Sequence, residues 1–423
     1  MKGKIFAAGL LAALTVGQNA DAKSLEDILK EKGVITEADY KEVSKYKPID
    51  YKLGKGFTFT SADEKFQLSL GGRMQFRYTF TDFDTADFDT KSDSSTWDAK
   101  RIKLILGGYA YSKDLSYKVE LDLRQSGSSK MLQDAFMNYK FIDEVQLRAG
   151  QYKVPFARQE LISDGSLSFV DRSPVVDAFK ASYDIGAMAH GKVAGGLAEY
   201  NLGVFGGLGQ TTARATNDNM LAARVAVNPL GDMPYNEPDF ERSKKPLLSI
   251  GANYFRNTLQ RTGTTFESAA SNYAGSSGWL GSQVSYITTA DRQKVDVNSY
   301  GVDLAFKWMG LAIQGEYLLG QAENQTTEKL LRAQGFYGQA AYMILPKLEA
   351  AMRYSYYDRN RDVSNDLKTE VIGAVSYYFN KHNLKLTADV ASLHTQGGKT
   401  DPITSQKLPT DDMQYRLQAQ IIF

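Results

Sequence analysis

The chain of 423 residues contains no cysteine. That excludes disulfide frameworks, thiolate catalysis, cysteine-based zinc sites and covalent attachment of c-type haem. Histidine is almost as scarce: His190, His382 and His394 are all there are. They lie too far apart in sequence to suggest a metal site, so neither metal nor cofactor is expected. Neither sign of charge dominates, with 50 Lys+Arg against 49 Asp+Glu, and nothing directs the chain to nucleic acid. Beyond residue 22 no apolar run approaches the ~20 residues that a membrane-spanning helix needs. No Ser, His and Asp are spaced so as to put a nucleophile beside its base, so enzymatic activity is not expected.

The N-terminus does carry a short apolar run. Lys2 and Lys4 precede Ile5–Val16, and Ala20-Asp21-Ala22 fits a small-x-small cleavage site. This is the pattern of an export signal over 1–22. Its removal takes away two lysines and one aspartate and leaves the mature chain formally neutral. Residues 24–46 then read as two short helices separated by Gly33. Ser24 and Thr36 sit at N-cap positions, with Asp27 and Asp39 three residues on. Residues 23–55 are expected to form a small helical segment in the periplasm, either solvated or serving as a docking element.

From Phe66 the hydrophobic period becomes two. Leu68, Leu70, Met74, Phe76, Tyr78 and Phe80 alternate with Gln67, Ser69, Arg73, Gln75, Arg77 and Thr79. Such alternation puts the two sets on opposite faces of one long strand. Similar segments recur at 97–111, 115–125, 131–141, 144–153, 183–195, 197–208, 218–228, 246–256, 296–308, 310–321, 333–344, 347–357, 367–379, 383–393 and 413–423. Tight connections such as "MG", "LPK" and "NKHN" alternate with long ones at 82–96, 154–182, 257–295 and 396–412. Sixteen long strands, short turns on one side and long loops on the other predict an all-β, antiparallel transmembrane β-barrel over 56–423. Sixteen strands enclose too wide a space for side chains to fill, so the polar rows should face water inside and the apolar rows lipid outside. Tyr377/Phe379, Phe306/Trp308 and Tyr139/Phe141 close strands with aromatics, as interfacial girdles do.

The last strand ends on an aromatic. Gln414, Arg416, Gln418 and Gln420 should face the lumen, and Met413, Tyr415, Leu417, Ala419, Ile421 and Phe423 the lipid. Phe423 resembles the C-terminal signal read by bacterial barrel-assembly machinery. The expected location is the outer membrane of a Gram-negative bacterium, with lipid and lipopolysaccharide around the barrel.

Three stretches carry a family resemblance: "KFQLSLGGRMQFRYTF" (65–80), "LRAGQYKVPF" (147–156) and "SFVDRSPVVDAF…YDIG" (168–186). The chain resembles the phosphate-selective porins O and P of Gram-negative outer membranes. The resemblance implies a sixteen-stranded barrel, usually a homotrimer, with a passive pore for small ions and solutes. It also implies that loop 154–182, with Arg158, Glu160, Asp164, Asp171 and Arg172, folds inward as the constriction. Arg73 and the Lys100-Arg101 pair fall where family arginines lie, and Asp134 matches an acidic residue of the fourth strand. Two departures weigh against phosphate specificity. The narrowing loop carries Glu160 and Asp164 where phosphate-selective members have lysines, and loop 257–295 has only Arg261 and Arg292 as arginines.

The first five strands place Arg73, Arg77, Arg101, Lys103, Lys118, Arg124, Lys140 and Arg148 inward against Glu120, Asp122 and Asp134. A fixed charge in the lumen is screened over ~8 Å, so this basic wall acts only where the pore is tight. Anion preference carried by these residues and simple pairing with Glu120, Asp122 and Asp134 are equally open. Lys153 either sits at the interface as an end residue or reaches into the constriction; strict alternation from Arg148 turns it outward and favours the first. A barrel sheathing a multihaem cytochrome is the alternative function, though an inward-folding loop would obstruct a threaded partner.

Overall fold

The computed structural model describes every residue except 1–24, 41–48, 85–91, 125–130, 269–270 and 402–403. The expected export signal therefore lies outside the described residues. The chain forms two compact units, Met1–Pro48 and Ile49–Phe423. In the first, Leu25–Glu31 is helical. Thr36 and Asp39 cap one another as their spacing predicts: the Asp39 N–H donates to Thr36 Oγ1 at 3.1 Å and the Thr36 N–H to the Asp39 carboxylate at 2.9 Å.

The second unit is a closed antiparallel barrel of sixteen strands among the described residues. In chain order they are β1 Gln67–Asp82, β2 Ser94–Ala110, β3 Ser112–Asp122, β4 Leu132–Ile142, β5 Val145–Lys153, β6 Tyr183–Val193, β7 Ala198–Phe205 and β8 Met220–Val227. There follow β9 Leu247–Thr262, β10 Lys294–Trp308, β11 Leu311–Asn324, β12 Leu330–Leu345, β13 Leu348–Asp358, β14 Leu367–Asn380, β15 Leu384–Thr400 and β16 Lys407–Ile422. Each pairs with its neighbour, and β16 closes on β1 from Met413↔Asp82 to Ile422↔Arg73. A hairpin of Ile49–Lys52 and Gly56–Thr60 pairs with β1 below the point where β16 ends. The barrel unit thus begins at Ile49, not at residue 56, because the hairpin satisfies the lower edge of β1.

Alternation sets the two faces as expected. In β10, Tyr300, Val302, Leu304 and Trp308 are exposed on the outside, while Ser299, Asp303 and Lys307 are buried within. The Tyr377/Phe379 and Tyr139/Phe141 rings pack edge to face at 4.8 and 4.7 Å, each pair at the turn end of its strand. The turn after β10 has Met309 and Gly310 at φ 50 and 89, both left-handed, as a two-residue hairpin requires.

Two long connections are shorter than their composition suggests. β15 runs on to Thr400 and β16 begins at Lys407, so most of 396–412 is strand; β9 likewise runs to Thr262. The ladder continues past the membrane, where nothing demands an apolar row and the alternation signal fades.

The interior is not a uniformly wet channel. Part of it is filled by protein, with an apolar core that includes Phe156, Val176, Phe179, Phe255, Tyr273, Trp279, Leu318, Leu331 and Tyr357. Loop 154–182 and loop 263–293 enter from the long-loop side. Segment 228–246, between β8 and β9, enters from the short-turn side. Val295, Val297, Leu318 and Leu331 point inward to meet them. A wide barrel can be filled when its loops bring their own apolar side chains.

Candidate pore constriction

Pro155 ends β5, and the chain turns into the lumen with Ala157 at φ 62. Two short helices follow, Arg158–Leu161 and Pro174–Phe179; Ser173 caps the second by accepting from the Val175 N–H. The loop has one apolar side and one charged side. On the apolar side Phe156 packs against Phe255 at 4.8 Å, and Phe179 stacks on Trp279 at 6.0 Å. Loop 263–293 adds main-chain bonds, from the Tyr273 N–H to the Lys180 carbonyl at 3.1 Å and from the Trp279 N–H to the Ala178 carbonyl at 3.2 Å.

Wall carboxylates receive the loop's backbone. Glu316 accepts the Arg158 and Gln159 N–H groups, each at 2.7 Å. Asp389 accepts the Val170 N–H at 3.2 Å, and Glu349 the Ser168 hydroxyl at 3.0 Å. Glu237, from segment 228–246, accepts the Ser168 N–H at 2.7 Å and the Gln159 side chain at 2.8 Å. Buried amides without such partners would each cost about 1–3 kcal/mol. These acids are fasteners, a role that inward alternation alone does not reveal.

On the charged side the basic wall meets the loop's own acids. Asp164 pairs with Arg73, with Arg101 at 2.9 Å and with Lys103 at 2.9 Å. Asp171 pairs with Arg77 at 2.6 Å, Arg101 at 3.3 Å and Arg416 at 3.5 Å. Burial alone would raise the Asp171 carboxyl, but Arg77 and Arg101 outweigh it and hold it far below the usual range. Glu160 lies inside the loop, 3.2 Å from both Arg172 and Lys180; these cations overcome its burial and keep its pKa at about 2.

Fully burying a large apolar side chain stabilises by about 1.5–3 kcal/mol, whereas buried ion pairs roughly break even against apolar replacements. The apolar side therefore anchors the loop, and the charged side fixes where its edge lies.

The expected site residues separate into groups. Arg73, Arg77, Arg101 and Lys103 converge on Asp164 and Asp171, not chiefly on the wall acids. Lys118 bridges Glu120 and Asp134 at 2.7 and 2.6 Å. Arg124 stands apart, half exposed near the long-loop rim and 3.0 Å from Asp98. Lys140 pairs with Asp143 in the β4–β5 turn. Arg158 and Arg172 do not reach the open channel. Arg158 stacks on Tyr235 and donates to the Pro234 carbonyl at 3.2 Å, while Arg172 donates to the carbonyls of Gln159 and Ile162 at 2.9 and 2.6 Å. Lys153 corrects its expected outward placement. Its amine lies inside, donating to the Glu160 carbonyl at 2.5 Å, because alternation lapses where β5 leaves the sheet. Arg148 faces in as expected. The three histidines are not brought together: His190 bonds Asn138 at 2.6 Å, His382 packs on Phe240 and Tyr378, and His394 pairs with Asp411 at 2.7 Å.

Between loop and wall lies a cavity of about 240 Å³. Lys103, Lys118, Arg148 and Lys153 line it, with Glu120, Asp134 and Asp164. Leu161, Ser163 and Pro155 form its loop side.

A closed sixteen-stranded antiparallel barrel of this kind defines an outer-membrane porin with a passive channel. The chain belongs to the phosphate-selective porin O and P family, whose profile matches residues 68–421. It is 24% identical to Porin O of Pseudomonas aeruginosa, over 81% of this chain and 78% of that protein. It is also 24% identical to an uncharacterised protein of Aquifex aeolicus, over 91% and 93% of the two chains. Among solved structures it is similar to the anion-selective porin from Comamonas acidovorans, with TM-score 0.58, 11% identity, and 84% and 99% coverage. The outer-membrane channel DcaP of Acinetobacter baumannii gives 0.54 at 13% identity, with 86% and 99% coverage.

Proposed function

We propose that this porin passes small hydrophilic solutes with a preference for anions and without specificity for phosphate. One observation carries the reading: the constriction cavity is lined by four basic side chains, Lys103, Lys118, Arg148 and Lys153, against three carboxylates, Glu120, Asp134 and Asp164. In so small a cavity wall charges are only weakly screened, so the basic excess is felt by a passing ion. Phosphate specificity lacks its means. Arg73, Arg77 and Arg101, the natural phosphate ligands, are occupied by Asp164 and Asp171.

The same reading makes the protein a homotrimer in lipid and lipopolysaccharide, assembled through Phe423, with the segment up to Pro48 in the periplasm. An OmpT structure of Vibrio cholerae in trimer form, similar at TM-score 0.52 and 11% identity, is consistent with that assembly. A cytochrome sheath is disfavoured, because loops 154–182 and 263–293 and segment 228–246 occupy the space that a threaded partner needs. Reversal potentials of purified channels in a KCl gradient test the function. Chloride should be the more permeant ion; a potassium-selective reversal potential refutes the proposal.

A further inference from the structure

We infer that Arg148 is a docking cation for small monocarboxylate solutes on their way through the constriction. The inference rests on the anion-preferring reading above and gives it a residue and a solute class.

Each of the other three cations of the cavity is already engaged. Lys103 is held by Glu120 and Asp164, Lys118 by Glu120 and Asp134, and Lys153 by the Glu160 carbonyl. The Arg148 guanidinium has no hydrogen bond or ion pair among the described residues, and its Nε is buried without a partner. Its guanidinium carbon instead lies 4.5 Å from the centre of the Phe136 ring and 5.4 Å from that of Tyr152, two rings set at 78° to one another. Contacts of this kind hold the guanidinium against the aromatic wall without using its N–H donors. A planar carboxylate matches that edge with two parallel hydrogen bonds.

The rest of the lining selects among anions. A doubly charged phosphate would be repelled by Glu120, Asp134 and Asp164 twice as strongly as a singly charged anion in the same small space. A monocarboxylate brings a single charge, and its hydrocarbon body can lie against Leu161 and Met188, which face the same cavity.

The experiment measures block of chloride current through the purified full-length channel in planar bilayers, with butyrate and inorganic phosphate as probes. Butyrate should reduce the current saturably, and phosphate at equal concentration should reduce it less. Arg148→Gln should raise the half-blocking butyrate concentration ~tenfold or more, as expected for loss of a charge-assisted bidentate contact. Arg148→Lys should restore only part of the block, because an ammonium lacks the fork. An unchanged butyrate block in both variants overturns the proposal, as does stronger block by phosphate than by butyrate. Reversal potentials on the same samples separate the two levels. A cation-selective wild-type channel overturns the anion reading itself, whereas an anion-selective channel that butyrate does not block overturns only the assignment to Arg148.

Discussion

Phe423 and Gly72 exchange both main-chain hydrogen bonds across the barrel seam. The Gly72 N–H donates to the Phe423 carbonyl at 2.7 Å, and the Phe423 N–H to the Gly72 carbonyl at 3.1 Å. The terminal ring lies over the glycine on the outer face: a Cβ on Gly72 would come within 2.8 Å of the ring, and one on Gly71 within 2.8 Å of the Phe423 carbonyl. The Leu-Gly-Gly-Arg of the first strand and the final aromatic are thus two parts of one closure. Deleting Phe423 should remove the last rung of the seam. Outer-membrane fractions should then contain severalfold less folded, heat-modifiable barrel, while the channels that do assemble conduct as the wild type does. Normal yields of the deletion would show that the closure is dispensable.

Asp164 and Asp171 neutralise the basic wall, so removing their charge should unmask it. D164N/D171N leaves Arg73, Arg77 and Arg101 without their carboxylate partners, and breaking one side of a buried pair costs about 3–5 kcal/mol. Two outcomes are expected together: a reversal potential shifted further toward chloride, and a lower temperature for the loss of heat-modifiable mobility. A shift toward potassium would contradict the assignment of these acids.

The Glu160 ion pairs inside the loop should persist until strongly acidic pH. The pKa of Glu160 is kept at about 2 by Arg172 and Lys180 despite burial. A carboxyl whose folded value is depressed stabilises fully above its ordinary range, and that stabilisation is lost as pH falls toward the depressed value. Glu160 should therefore contribute no change in single-channel conductance or current noise from pH 7 to about pH 5. Its contribution should appear only below about pH 3, when Glu160 begins to lose its charge. In E160Q the noise should be raised at every pH. A wild-type transition near pH 6 would mean that another group controls the loop.

The barrel was legible because its signal is local and repeated. Alternation in segments such as 347–357 and 383–393 located the sixteen barrel strands, though not the hairpin of Ile49–Lys52 and Gly56–Thr60, and the tight turns ordered them. The site was less legible because its pairings are not local. Arg73 and Asp164 are 91 positions apart and Ser168 and Glu349 181, and no period links them. Alternation placed Glu316 inside correctly but could not say that it receives the backbone of the loop. Lys153 was misplaced because it lies where the strand leaves the sheet and the period of two lapses. Segment 228–246 passes as a long turn. Its signal is "YNEPDF", where Tyr235, Glu237 and Phe240 each reach an interior partner.

Glu237 gives the most direct test of that segment. The Arg158 guanidinium donates to the Pro234 carbonyl, the Glu237 N–H to the Ser166 carbonyl at 3.1 Å, and Lys307 to the Pro238 carbonyl at 2.9 Å. Phe240 then packs edge to face on Tyr378 at 4.7 Å. The segment is thus tied both to the constriction loop and to the wall, and Glu237 is the tie to the loop. Replacing its carboxylate by an amide keeps one acceptor where two donors converge, the Ser168 N–H and the Gln159 amide. One buried donor is then left unsatisfied, at a cost of about 1–3 kcal/mol. The strands are untouched, so E237Q should assemble in normal amounts. Its open-channel current should be noisier than the wild type's, as the loop samples detached positions. F240A should add to this by loosening the segment from the wall. If E237Q is as quiet as the wild type, the loop is held by Glu316 and its apolar side alone, and segment 228–246 fills space without positioning the constriction.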